Sequence, residues 1–165
     1  MDLYVLRHSM AVERGRLPRD SDRPLTEAGQ KRLERATQAW DAIGVSVELV
    51  VTSPLLRAQQ SATIAAAALG ISDRIHPERS LAPGASPAAM VRTLDDYQSR
   101  ADRIMLVGHE PDLGRLVSTL VCGNDEAGFR IKKAGLLRLS IGTLRAGRCA
   151  TLEWQLWPRH LLKMS

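Results

Sequence analysis

Short runs of consecutive apolar residues recur along the chain and predict the strands of a sheet. Their residues are β-branched, aromatic or aliphatic, and each run is too short for a buried helix. The clearest runs are residues 3–6, 45–51 and 103–107, with a weaker one around Ile75. Residues 136–141 and 150–156 predict two later strands joined by a hairpin at Ala146-Gly147. In the second of these, apolar and polar residues alternate, as on a strand with one wet face.

Segments with apolar residues at helical spacing lie between these runs. Four helices are predicted: Thr26 to Gly44, Pro54 to Gly70 with Ser53 as its cap, Ser86 through Leu94, and Pro111 to Gly123. The alternation favours an α/β fold, a three-layer α/β/α sandwich with a mostly parallel central sheet. Residues 9–25 are polar and have no period, and a loop of this length is usually functional or mobile.

The composition fits one globular domain over residues 1–165. Hydrophobic residues make up 44% of the chain and charged residues 25%, which excludes a disordered protein. Lys and Arg number 23 against 18 Asp and Glu, so the net charge is +5 and anionic ligands are favoured. The charge alone does not distinguish phosphate esters from nucleic acid or anionic lipid.

No segment has the pattern of a signal peptide or a membrane span. The apolar start breaks at Arg7, and the Ala-rich run at 62–71 is too short to cross a bilayer. Cys122 and Cys149 lie in no metal or redox spacing, and we expect buried or half-buried thiols in a reducing compartment. We therefore expect a cytoplasmic protein with no membrane partner, and a monomer.

Three of the predicted strands end in residues suited to binding an anion. Arg7-His8 follows the first, Ser53-Pro54 the second with Arg57 close behind, and Gly108-His109 the third. Because the carboxyl ends of parallel strands line up along one edge, two arginines and two histidines would converge there. Each residue alone has an ordinary explanation as a structural or surface side chain. Their recurrence at three strand ends favours a common site.

Such a set of side chains suits phosphoryl transfer. Guanidinium groups donate paired hydrogen bonds to phosphate oxygens, and a protonated imidazole donates one more. A neutral imidazole can attack phosphorus and form a phosphohistidine that water then cleaves. On this interpretation His8 is the nucleophile and Arg7 holds the anion. The cations would supply the field of a metal ion, so no metal or cofactor is expected.

Four segments together resemble the histidine phosphatase superfamily, whose members have the phosphoglycerate-mutase-like fold. They are Leu6 to Ser9 (LRHS), Arg23 to Gly29 (RPLTEAG), Ser53 to Ala62 (SPLLRAQQSA) and Val107 to Pro111 (VGHEP). The last motif is similar to that of the SixA-type phosphohistidine phosphatases. The short chain, with no large insertion after the second strand, also resembles this branch more than the mutases.

The resemblance implies a role for each matching residue. His8 would carry the phosphoryl group, and it would be bound by Arg7, Arg57 and His109. Arg23, in the matching loop segment, would be a further phosphate ligand.

Two positions depart from the family pattern. Ser9 stands where the family has glycine; its hydroxyl would lie near the phosphate, or it merely adopts the required backbone angle. Glu78 is the nearest match to the glutamate that protonates the leaving oxygen in many superfamily phosphatases. The alternative for Glu78 is a solvated loop carboxylate. A phosphohistidine substrate needs such an acid less, because imidazole leaves more easily than an alkoxide.

The resemblance implies a metal-independent hydrolase of protein phosphohistidine, as in signal transduction. One alternative is a phosphatase of sugar or nucleotide phosphates, which would depend on Glu78. Another is a non-catalytic module that binds phosphate or nucleic acid with a steep salt dependence. The aromatic share of 4% argues against nucleic acid as a partner. A mutase would need a further segment to enclose its diphosphorylated substrate.

Overall fold

Six strands form one sheet in the computed structural model, which describes residues 1–164. The strands are β1 (Asp2–Arg7), β2 (Leu49–Thr52), β3 (Ile75–Pro77), β4 (Arg103–Gly108), β5 (Leu136–Ile141) and β6 (Ala150–Leu156). Their order is β3-β2-β4-β1-β5-β6. The first four are parallel, and β5 runs antiparallel to β1 and β6. The predicted mostly parallel sheet is confirmed.

Helices cover both faces of this sheet. They are α1 (Glu27–Thr37), α2 (Leu56–Ala68), α3 (Pro87–Gln98), α4 (Asp112–Cys122) and α5 (Pro158–Leu161). Side chains of β1 alternate between two cores: Leu3 and Val5 pack with α3 and α4, whereas Tyr4 and Leu6 pack with α1, α2 and α5. Burying a side chain such as Leu6 stabilises the fold by about 2 kcal/mol. The result is the predicted three-layer sandwich.

The first helix is shorter than the sequence predicts. Thr26 caps it as expected, but its α-helical hydrogen bonds end at Thr37 and not at Gly44. The chain then tightens into turns with bonds from residue i+3 to residue i, as from Trp40 N–H to Thr37 O at 3.0 Å. Trp40 remains buried in these turns. The apolar residues keep their helical spacing beyond Thr37, and this spacing led to the prediction of a longer helix.

The second strand begins later than predicted, at Leu49 instead of Val45. Val45 and Val47 are buried, yet both lie outside the sheet. The carboxylate of Glu48 accepts hydrogen bonds from two backbone N–H groups at the start of β4, at 2.9 and 3.0 Å. The backbone N–H of Glu48 also donates to Arg103 O at 2.8 Å, so both its side chain and its main chain join this end of β2 to β4.

Both cysteines are free thiols. Cys149 is half-buried, as expected, but Cys122 is exposed, contrary to the prediction. It lies in the last turn of α4, next to Gly123, whose left-handed backbone turns the chain away. In the described range of the chain, none of the helices has the length and apolar character of a membrane span.

Candidate active site

The carboxyl ends of β1, β4 and β2 lie side by side. In the sheet register, Arg7 pairs with Gly108. One residue further, His8 N–H donates to Gly108 O at 3.1 Å, and Ser53 N–H donates to Val107 O at 2.9 Å. The side chains that follow these three strands therefore fall within one small area at the sheet edge.

His8 and His109 face each other in this area. Their ring centroids are 5.0 Å apart, and the ring planes are tilted by 57°. Both side chains are buried, which disfavours the charged imidazolium. Burial lowers the pKa of His8 to about 4 and that of His109 to about 3, and the positive charge of Arg57 adds to both shifts. Both imidazoles are therefore neutral at physiological pH.

A main-chain contact determines which nitrogen of His8 is free. Its Nδ1 lies 2.7 Å from the carbonyl oxygen of Ser9. Because a carbonyl oxygen only accepts, Nδ1 carries the proton of the neutral ring. The lone pair is then on Nε2, the nitrogen that would act as the nucleophile.

Ser53 pairs with the second histidine and is not the helix cap that the sequence predicts. Its Oγ lies 2.8 Å from His109 Nε2 and also accepts from Leu55 N–H at 3.3 Å. Leu55 is still extended, so α2 starts only at Leu56. If the serine hydroxyl donates to Nε2, the proton of neutral His109 lies on Nδ1.

Three buried nitrogens of this site have no hydrogen-bond partner in the described part of the chain. They are Arg7 Nε, Arg57 Nε and His109 Nδ1, three of seven such nitrogens among residues 1–164. An unpaired buried donor typically costs about 1–3 kcal/mol. A bound anion would provide the hydrogen-bond partner that these three nitrogens lack.

Asp20, which the sequence analysis did not single out, connects two arginines. Its carboxylate accepts from Arg57 at 2.9 Å and from Arg23 at 2.9 Å, and its carbonyl accepts from Arg57 at 2.8 Å. Burial opposes ionisation of this carboxyl, yet the hydrogen bonds and charges of the two arginines hold its pKa below the usual range. Asp20 lies in a 3-10 turn of the 9–25 loop, which was predicted to be irregular.

Arg23 is connected to the site through Asp20. Its Nε contacts Asp20, and another nitrogen donates to Val12 O at 2.7 Å. Its link to Arg57 runs through Asp20, which a phosphate would have to displace before it could bridge the two guanidinium groups. In the sequence, the only indication of this role was that Asp20 stands three positions before Arg23.

The chain after His8 is anchored to α1 by a close backbone contact. A Cβ at Gly29 would lie 2.1 Å from the carbonyl oxygen of Met10, so only glycine permits this approach. Ser9 is fully buried; its hydroxyl donates to Gly29 O at 2.7 Å and its N–H to Ser61 Oγ at 3.1 Å. The hydroxyl of Ser9 is therefore engaged with α1, and we do not include it among the proposed phosphate ligands.

Glu78 lies at the same sheet edge, directly after the outermost strand β3. Its N–H donates to Thr52 O at 2.7 Å, while its carboxylate accepts from Tyr97 Oη at 2.8 Å. Burial and this contact raise the pKa of Tyr97 to about 12. Two strands, β2 and β4, separate Glu78 from β1, and its hydrogen-bond partner is Tyr97 and not a histidine or arginine of the site.

We expect the free energy of unfolding to fall as the pH drops from about 6.5 towards 4. In this interval the two histidines bind protons in the unfolded chain, where their pKa is about 6.5, but stay neutral in the folded protein, so acid favours unfolding. Urea unfolding at neutral and acid pH measures this effect. His109→Gln should lose less stability over the interval than the wild type. The control His160→Gln, outside the site, should lose as much as the wild type. Equal losses in all three proteins would contradict the burial of a neutral His109.

The sequence and the fold both have known relatives. Residues 3–82 match the model of the histidine phosphatase superfamily (branch 1). An uncharacterized protein of Picosynechococcus sp. is 39% identical over 149 residues, 88% of each chain. The structure of the protein histidine phosphatase SixA complexed with tungstate superposes with a TM-score of 0.85 at 23% identity, over 98% of this chain and 99% of that one. A mycobacterial glucosyl-3-phosphoglycerate phosphatase with inorganic phosphate gives a TM-score of 0.70 at 18% identity, over 95% and 96%.

Proposed function

Because the chain belongs to the histidine phosphatase superfamily, we propose that it is a phosphohistidine phosphatase of SixA type. Its substrate would be phosphohistidine on a protein, and the reaction would need no metal ion. The observation that carries the proposal is a neutral His8 that faces His109 and is under the charge of Arg7 and Arg57, three residues that each have a buried nitrogen without a hydrogen-bond partner among residues 1–164. The overlap with the SixA fold along almost the whole chain supports the substrate class.

In the first step, His8 Nε2 attacks the phosphorus of the substrate. A P–N bond forms to His8 while the P–N bond to the substrate imidazole breaks, and the released nitrogen takes a proton from water. The low pKa of His8 keeps its lone pair free at physiological pH. No carboxylic acid is needed at this step, since imidazole is a good leaving group.

The charge that develops on the phosphoryl oxygens would be met by fixed donors. Arg7 Nε, Arg57 Nε and His109 Nδ1 are held in place by partners at their other nitrogens, namely Ile131 O, Asp20 and Ser53. Such preorganised donors stabilise a transition state without having to rearrange. Two guanidinium groups also provide the positive field that a metal ion supplies in other phosphatases.

In the second step, water attacks the phosphorus on His8. The P–N bond to Nε2 breaks, its electron pair returns to the imidazole, and the proton of the water goes to solvent. Inorganic phosphate then leaves, and His8 is again neutral with its proton on Nδ1. The cycle consumes one water for each phosphohistidine that is hydrolysed.

The rival function is hydrolysis of a small phosphoester. The fold of the glucosyl-3-phosphoglycerate phosphatase is compatible with it, and Glu78 stands at the same sheet edge. An alkoxide leaving group would require an acid, which contributes about 10²–10⁴-fold to such reactions. The contact of Glu78 with Tyr97 provides no direct link to the histidines.

The deciding experiment measures phosphate release, with a chelator present, from a phosphohistidine peptide and from glycerol phosphate. We expect release from the peptide, and Glu78→Gln should keep this rate within a few-fold. Release from glycerol phosphate alone, reduced by about 10²-fold in Glu78→Gln, would instead establish the phosphoesterase. Release from neither, with binding that weakens steeply in salt, would favour the non-catalytic module.

A further inference from the structure

A groove of about 530 Å³ opens beside Arg7, between α1 and the chain around α5. Its charged lining residues are all cations: Arg7, Arg32, Lys132, Lys133 and Arg159. The indole of Trp157 lies among them. We call this feature the cationic groove.

All five cations lack an ionic partner in the described part of the chain. The ion pairs found among residues 1–164 include none with Arg7, Arg32, Lys132, Lys133 or Arg159, whereas arginines of the 9–25 loop are paired with nearby carboxylates. The Nε of Arg32 is also buried, and it has no hydrogen-bond partner within residues 1–164. Like charges repel, so clustering them is unfavourable in the protein alone and favourable with a bound anion.

Trp157 fixes two of the cations in position. Arg159 Cζ lies 4.4 Å and Lys132 Nζ lies 5.4 Å from the centre of the indole ring. These cation–π contacts reduce the freedom of long side chains that would otherwise move in solvent. With two cations already over its ring, Trp157 is poorly suited to stack a nucleic-acid base.

The cationic groove is continuous with the candidate active site. Arg7 belongs to both, and the charge of Lys133 acts on His8. The adjoining depression continues the positive charge with Arg130, and its one carboxylate, Glu110, accepts from Ile131 N–H at 2.6 Å. When the phosphohistidine of a protein substrate is bound at His8, the residues next to it in the substrate chain would therefore lie in this groove.

We propose that the cationic groove binds acidic side chains that flank the phosphohistidine of a protein substrate. This inference rests on the proposed function, because it places a peptide's phosphoryl group at His8. It adds a second point of recognition, by which the enzyme selects among phosphohistidine proteins. The selection operates on binding, since the groove lies outside the reacting atoms.

The test uses phosphohistidine peptides of equal length whose flanking residues are aspartate, asparagine or lysine. The aspartate peptide should have a kcat/KM about tenfold or more above that of the asparagine peptide, through KM, at low ionic strength. Lys132→Glu with Arg159→Glu should remove this advantage, lowering kcat/KM for the aspartate peptide more than for the asparagine peptide. Arg92→Glu with Arg145→Glu, which changes the net charge equally on the opposite layer, should preserve it.

Binding of the unphosphorylated peptides, followed by fluorescence anisotropy, separates the two proposals. Equal turnover of all three peptides would overturn the groove inference and leave the proposed function standing. If no peptide is hydrolysed but the aspartate peptide still binds the wild type better than the Lys132→Glu/Arg159→Glu protein, the proposed function fails and the groove's preference stands. Equal binding by both proteins would overturn the inference in either case.

Discussion

His8→Ala is expected to lower phosphate release from a phosphohistidine peptide by about 10⁴-fold or more, because no other group replaces the nucleophile. The fold should persist, since His8 lies directly beyond the end of β1 and the hydrogen bond of its ring is to the carbonyl of the next residue, Ser9. Circular dichroism and inorganic phosphate binding check that the variant remains folded. Phosphate release, with an alkaline quench to preserve any phosphohistidine on the protein, measures the reaction.

Two further variants make the result specific. His76→Ala removes a histidine at the outermost strand and should keep the wild-type rate. His8→Asn keeps a donor for the Ser9 carbonyl but has no nucleophilic nitrogen, so it should be as inactive as His8→Ala. A His8→Asn protein that still hydrolyses the peptide would contradict the histidine nucleophile. Unfolding of both His8 variants would instead indicate a structural histidine.

Arg57→Ala is expected to lower kcat/KM by about 10²–10³-fold, the range seen when one preorganised donor is removed. The arginine supplies a buried Nε to the site, and it also neutralises Asp20. Without it, the carboxylate of Asp20 would repel the incoming phosphoryl group. Arg57→Lys should recover little, because an ammonium cannot reproduce the planar fork that binds Asp20 and phosphate together.

The contribution of that repulsion can be separated from the lost donor. Asp20→Asn added to Arg57→Ala should restore part of the activity, and the recovered fraction measures the repulsion. Arg74→Ala, which removes an exposed arginine directly before the amino end of β3, should retain full activity. An Arg57→Ala variant with the kcat/KM of the wild type would contradict the assignment of Arg57 to the active site.

The sheet was predictable because its strands are short apolar runs ended by polar residues. The ranges of β5 and β6 agree with the predicted ones, 136–141 and 150–156. The end of α1 and the start of β2 were not predictable, because hydrogen bonds that apolar spacing does not encode decide them. The carboxylate of Glu48, for example, bonds to residues more than fifty positions later in the chain.

The same distinction applies to the site. Arg7 ends β1, His8 and His109 directly follow strands, and Arg57 lies in the first turn of the helix after β2, so their placement at one edge could be predicted from the parallel sheet. The partners that hold them could not, because the contacts of Ser53 with His109 and of Asp20 with Arg57 join residues 56 and 37 positions apart. Only the strand order and the path of the 9–25 loop bring these pairs together.

The hydrogen bond from His8 Nδ1 to the Ser9 carbonyl also bears on the lifetime of the covalent intermediate. With the proton retained on Nδ1, a phosphoryl group on Nε2 would make the ring cationic, and a cationic ring departs as a neutral molecule when water attacks. The intermediate would then decay quickly instead of passing its phosphoryl group to another acceptor. Since every residue type has this carbonyl, serine can stand at position 9 without loss of that control.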